Sequence, residues 1–178
     1  MNRRLAEGMP EREPRGAGPT QRAVIALGAN LGDRAATISE AIADLGRLPL
    51  TELVAAAEPI ESVAITLGGP DADAPRYLNT VALVDTRLAP TVLLGYLHAI
   101  EGRHGRERRE RWGSRTLDLD LIAYGDVRSD DPALVLPHPR AAERDFVLDP
   151  WLSIDPDAVL PGAGRVADLR AALPGGAA

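Results

Sequence analysis

Apolar positions in this chain follow two rhythms, one of period two and one near 3.6, and the switches between them mark out its elements. Residues 23–27 form a short apolar run that ends at Gly28 and is followed by Asn30, Gly32 and Asp33. A run of that length closed by turn residues reads as a buried strand, and Asp33 as a cap for the helix that follows. Ile38, Ala41, Ile42 and Leu45 then recur at helical spacing until Gly46, which stops the helix. Residues 50–65, rich in valine, isoleucine and alanine, predict a second strand. Residues 66–75 hold two glycines, two prolines and two aspartates and predict an exposed loop. Residues 77–86 predict a third strand. Pro90 stands at a first helical position, Leu93, Leu97 and Ile100 share a face, and Gly102 ends that helix. Residues 103–115 lack any period, whereas residues 117–124 alternate as a fourth strand.

The order is βαββαβ, which predicts an α+β, ferredoxin-like core. Its antiparallel sheet has four core strands, with both helices packed on one face and the other face open. C-terminal additions follow: a strand at 133–136, a proline-bracketed histidine, a short helix, and a last helix at 166–173. Residues 1–20 mix arginine, glutamate, glycine and proline without periodicity. They predict a disordered N-terminal extension, leaving 21–178 as one domain. A chain of 178 residues should bury about 70% of its extended surface on folding, enough for one sizeable core.

Composition narrows the chemistry. There is no cysteine, so disulfides, zinc ribbons and thiol nucleophiles are excluded, and carboxylates and histidines are the only charged metal ligands. A hard cation such as magnesium suits that set. The net charge is −6, which argues against nucleic acid or an anionic membrane as partner for the whole surface. No run reaches the roughly 20 apolar residues of a membrane span, and residues 1–21 lack the apolar centre of a secretory signal. The expected location is cytoplasmic. All 20 basic residues are arginine, which excludes the lysine-dependent P-loop and protein-kinase solutions to ATP binding. Any phosphate grip here is made by arginine.

The most informative segment is residues 111–122, Arg-Trp-Gly-Ser-Arg-Thr-Leu-Asp-Leu-Asp-Leu-Ile. Alternation sends Leu117, Leu119 and Leu121 to one face and Asp118 and Asp120 to the other, with the carboxylates about 7 Å apart along the strand. Taken alone, such a pair is the wet side of a strand. Beside it, however, stand Arg103, Arg106, Arg108, Arg109, Arg111 and Arg115, six arginines in thirteen positions. Two magnesium ions chelated by triphosphate oxygens would relieve the repulsion between the aspartates, and arginines suit bidentate phosphate contacts. Trp112, inside this polar stretch, is read as a ligand contact in preference to local packing. Pro137 and Pro139 fix the backbone around His138, a possible donor to a phosphate oxygen, and Arg144 adds charge. Phe146, the only phenylalanine, is core filler or a ring that stacks on a flat heterocycle. Tyr77 and Asn79 share a strand face, and Asn79 offers both a donor and an acceptor. His98 and Glu101 are helical neighbours that meet either nucleotide or solvent.

Residues 26–32 (Ala-Leu-Gly-Ala-Asn-Leu-Gly), 76–79 (Arg-Tyr-Leu-Asn), 111–122, 137–140 (Pro-His-Pro-Arg) and 143–146 (Glu-Arg-Asp-Phe) resemble, in order, the motifs of the hydroxymethyldihydropterin pyrophosphokinase family. The likeness runs from Val24 to about Leu173. It implies transfer of diphosphate from ATP to 6-hydroxymethyl-7,8-dihydropterin in tetrahydrofolate synthesis, with AMP released. It also implies two Mg²⁺ on Asp118 and Asp120, and a pterin held by Tyr77, Asn79 and Phe146. His98, Glu101, Trp112, Arg115, His138 and Arg144 would contact ATP, and Arg106 and Arg115 would join the aspartates in catalysis. A monomer is expected. Two departures from the family pattern stand out: Ile60-Glu61-Ser62-Val63 replaces an aromatic-threonine-proline stretch, and residues 105–112 are one residue shorter than in some relatives.

Two rivals remain. An RNA-binding module with residues 103–115 as a basic arm is disfavoured by an aromatic content of 3% and a negative net charge. The other is an inactive relative acting as a binding partner.

Overall fold

The computed structural model describes residues 19–66, 69–71, 75–105 and 116–174. Strand β1 (Gln21–Ala29) leads into helix α1 (Arg34–Leu45), whose first turn is capped by Asp33: its Oδ1 accepts from the Ala36 amide at 3.0 Å. Then come β2 (Thr51–Ala56), β3 (Ile60–Ser62), the hairpin β4 (Ala64–Thr66) and β5 (Gly69–Asp71), and β6 (Tyr77–Thr86). Helix α2 (Pro90–Arg103), with Pro90 in its first turn, precedes β7 (Asp118–Tyr124). The C-terminal part holds β8 (Ser129–Asp131), β9 (Leu134–Leu136), a 3₁₀ turn at Ala141–Glu143 and α3 (Asp145–Ile154). A small ribbon of β10 (Val159–Leu160) and β11 (Gly164–Arg165) leads into α4 (Val166–Ala172).

The main sheet runs β2-β6-β1-β7, antiparallel throughout, with β3 continuing beside β6 past the end of β2. It is a mixed helix and antiparallel-sheet fold. The predicted strand over 50–65 is divided. The Ala57 amide turns to Val81 O at 2.9 Å and Thr80 Oγ1 donates to Ala57 O at 2.6 Å. Pro59 has no N–H to give a ladder, so pairing resumes only at Ile60. Part of the loop predicted over 66–75 is instead the β4–β5 hairpin. The extension predicted for 1–20 falls, up to residue 18, outside the described residues.

One face of the sheet matches the prediction. Ile25, Leu27, Leu119, Leu121 and Val84 pack under Ile38, Ala41 and Leu45 of α1 and under Leu93, Leu97 and Ile100 of α2. The opposite face, predicted to be open, is half covered. Val24, Val81, Leu83 and Ile122 form a second core with Val147, Leu148 and Trp151 of α3 and Val166 of α4. The cause is visible in the strands, because those second-face positions are themselves apolar. A bulge contributes as well: Val24 opposes Ala123 while Ile25 opposes Leu121, so Ile122 is the extra residue, and it joins Ala123 in the second core.

Candidate active site

Following the pleat along that second face shows where the site lies. Val81 and Leu83 share a face of β6 with Tyr77 and Asn79, and Val24 shares a face of β1 with Ala26 and Gly28. On β7 the same face presents Asp118 and Asp120. Each strand is thus apolar where α3 covers it and polar or small where the cover ends. Register places the polar ends side by side: Gly28 opposes Asn79 on one flank and Asp118 on the other, while Ala26 opposes Asp120. With strands about 4.8 Å apart, Asn79 and Asp118 stand roughly 10 Å from each other across Gly28.

Gly28 keeps that interval open. A Cβ built there would lie 3.0 Å from Asn79 Oδ1, so any side chain would press on the amide. Asn79 is only 7% exposed, and its Nδ2 donates to Ser62 Oγ at 2.7 Å. Ser62 opposes Tyr77 across the β3–β6 pair, so the short strand after Pro59 exists where Asn79 needs a partner. The sequence reading missed both Ser62 and this use of Gly28. The departure at residues 60–63 was the available signal for the first, and the glycine at a strand end for the second.

The other flank is a small ionic cluster. Arg144 Nη1 donates to Asp120 Oδ2 at 3.2 Å, and His138 Nε2 stands 3.8 Å from the same oxygen. The Arg144 guanidinium lies over the Phe146 ring, 5.6 Å from its centre, a cation–π arrangement. His138 is held by its backbone, its N–H donating to Ile122 O at 2.8 Å, and its Nδ1 accepts from the Arg140 amide at 3.2 Å. An accepting Nδ1 leaves the ring proton on Nε2, facing Asp120. Burial lowers the His138 pKa, with Asp120 opposing and the Arg144 and Arg140 charges reinforcing the effect. The ring is therefore a neutral donor aimed at an anionic site.

The donor set fits magnesium delivered by a polyphosphate. Among the described residues no group of three or more His, Cys, Asp or Glu side chains converges as a metal cage. Two strand carboxylates are what Mg²⁺ uses when phosphate oxygens and water complete its shell. Arg144 supplies the positive charge beside Asp120.

The remaining predicted residues separate. His98 is exposed on α2. Glu101 is 1% exposed, and its Oε1 accepts from the Leu119 amide at 2.8 Å. Arg106, Trp112 and Arg115 lie outside the described residues.

Comparison with known proteins identifies the family. Residues 24–156 match the family model described as 7,8-dihydro-6-hydroxymethylpterin-pyrophosphokinase (HPPK). The chain is 44% identical over 154 residues to the 2-amino-4-hydroxy-6-hydroxymethyldihydropteridine pyrophosphokinase of Pseudomonas aeruginosa, covering 86% of this chain and 93% of the relative. It is 38% identical over 147 residues to the protein of the same name from Haemophilus influenzae, covering 83% and 89%. Among solved structures it resembles Plasmodium falciparum HPPK-DHPS A437G with a TM-score of 0.66 at 13% identity. That likeness, which concerns the fold alone, covers 88% of this chain and 46% of the longer one.

Proposed function

The chain belongs to the 7,8-dihydro-6-hydroxymethylpterin-pyrophosphokinase family and is a pyrophosphokinase of folate biosynthesis, and we propose that it works by moving the β,γ-diphosphate of ATP onto 6-hydroxymethyl-7,8-dihydropterin across the Asn79–Gly28–Asp118 row. The observation that carries this reading is the register. It sets an amide, a gap without a side chain and two carboxylates side by side at the uncovered end of one sheet face.

In this reading the pterin lies in the gap. Its amide-like edge meets Asn79, which Ser62 holds in one orientation, and its flat ring is bounded by Tyr77 and Phe146. The hydroxymethyl oxygen then faces the aspartates. That oxygen attacks the β-phosphorus, the bond from the β-phosphorus to the α,β-bridging oxygen breaks, AMP departs, and the hydroxyl proton passes to solvent. Two Mg²⁺ held by Asp118 and Asp120 with triphosphate oxygens would supply positive charge around the β-phosphorus. Arg144 and the Nε2–H of His138 donate to phosphate oxygens, and Arg106, Trp112, Arg115 and His98 complete the nucleotide side. Catalysis is then positioning and charge neutralisation.

The architecture is read as ferredoxin-like, supported by the central order β2-β6-β1-β7 and the antiparallel pairing. A cytoplasmic location and a monomeric state belong to the same reading; no described helix is long and apolar enough to cross a membrane. The test is direct: protein, ATP, Mg²⁺ and the pterin alcohol are incubated and AMP is measured. Formation of ADP, or of no nucleotide product, would overturn the proposal.

A further inference from the structure

Strand β7 is an outer strand of the main sheet, paired with β1 on one side, and the amides on its other side must find acceptors elsewhere. One of them belongs to Leu119, the residue between Asp118 and Asp120. Its acceptor is the carboxylate of Glu101, at 2.8 Å. Glu101 comes from the end of α2, follows the fully buried Leu97 and Ile100, and is itself 1% exposed. Burying a carboxylate is expensive unless it is hydrogen-bonded, and a helix end packed on an apolar core offers no reason of its own for placing one there. The contact is also local to the chemistry. A change in the pitch of β7 at Leu119 would rotate both aspartates, since neighbouring residues share the same peptide planes.

We propose that Glu101 is a positioning residue: by accepting the Leu119 amide it sets the spacing and direction of the Asp118 and Asp120 carboxylates, and it does so from inside the protein without touching nucleotide. The inference rests on the reading of the two aspartates as metal and triphosphate ligands. What matters is the acceptor at that point, so an amide oxygen in its place should serve and a methyl group should not.

The test uses the full chain with Glu101→Gln, Glu101→Leu and Glu101→Asp, and Asp118→Ala as the control for the premise. Mn²⁺ affinity is measured by electron paramagnetic resonance with α,β-methylene-ATP bound, alongside exchange of the Leu119 amide, melting temperature, kcat and the KM for the pterin. Glu101→Gln should stay within about threefold of wild type in Mn²⁺ affinity and kcat. Glu101→Leu should lose on the order of tenfold or more in both, exchange the Leu119 amide faster, and leave KM for the pterin within about twofold. Should the leucine variant fail to fold, Glu101→Asp decides, because a side chain one methylene shorter withdraws the acceptor while keeping the charge. Unchanged Mn²⁺ affinity in the leucine or aspartate variant overturns the proposal, and so does an equal loss in Glu101→Gln. Unchanged Mn²⁺ affinity in Asp118→Ala overturns the premise instead, and that result is distinguishable because it does not involve Glu101.

Discussion

Arg144 Nη1 and Asp120 Oδ2 stand 3.2 Å apart, joining the start of α3 to the edge strand of the main sheet. The pair is partly buried, its side chains 20% and 33% exposed, at the rim where the second core ends, and its contribution to stability is small. In the proposed reading its meaning is chemical: the contact holds Arg144 beside Asp120, where phosphate oxygens would need a donor. Asp118→Ala and Asp120→Ala should therefore fold normally, with melting temperatures within a few degrees of wild type, and lose nearly all transfer activity. AMP formation checks this, and retention by either variant of more than about a tenth of the wild-type rate would remove the metal assignment.

Gly28→Ala tests the gap between Asn79 and Asp118. The added Cβ meets Asn79 Oδ1 at 3.0 Å, and Asn79 cannot retreat without breaking its bond to Ser62. The variant should keep its stability within about 1 kcal/mol and raise KM for the pterin on the order of tenfold, with KM for ATP little changed. A larger effect on ATP than on pterin would place the gap on the wrong substrate. Ser62→Ala should act in the same direction more mildly, because it frees the amide without filling the gap.

Arg103, at the end of α2, and Arg115 should behave differently. Arg103 Nη2 pairs with Asp44 Oδ2 at 3.2 Å on the helical side of the molecule, away from the aspartate strand. Arg115, read as a triphosphate clamp, should cost about a hundredfold in rate on replacement by alanine, near 3 kcal/mol of transition-state stabilisation. Arg115→Lys should recover part of that, since an ammonium keeps the charge but loses the planar fork. Arg103→Ala should stay close to wild type. Equal, mild losses at both positions would mean a diffuse basic surface.

Acid stability provides a prediction away from the site. Arg22 donates twice to Asp85, at 2.6 and 3.1 Å, across the β1–β6 pair, and this bonding lowers the Asp85 pKa. A depressed carboxylate pKa contributes stability above the unfolded value near 3.8, and that contribution is lost as pH falls through the folded value. With side chains 44% and 32% exposed, the contribution is small, about 0.5–1 kcal/mol. Asp85→Asn should be less stable than wild type by that amount at neutral pH, and the difference should vanish once the pH falls below the lowered Asp85 pKa. A gap in melting temperature that persists in acid would assign the effect to packing.

Much of the site was legible in the residues because alternation is a local property of a strand. Leu117-Asp118-Leu119-Asp120-Leu121 can present its carboxylates together only if its leucines are buried together, whatever the rest of the chain does. The Asp33 cap, the start of α2 at Pro90 and the bounds of β6 were readable for the same reason, since each depends on a few consecutive residues. Register and cover were not. That Gly28 sits between Asn79 and Asp118, that Ser62 holds Asn79, that α3 closes half of the face predicted to be open, and that Glu101 turns inward to the Leu119 amide all depend on residues 17 or more positions apart in the chain. Pairings of that length are set by how whole elements pack against one another, and only the folded structure decides them.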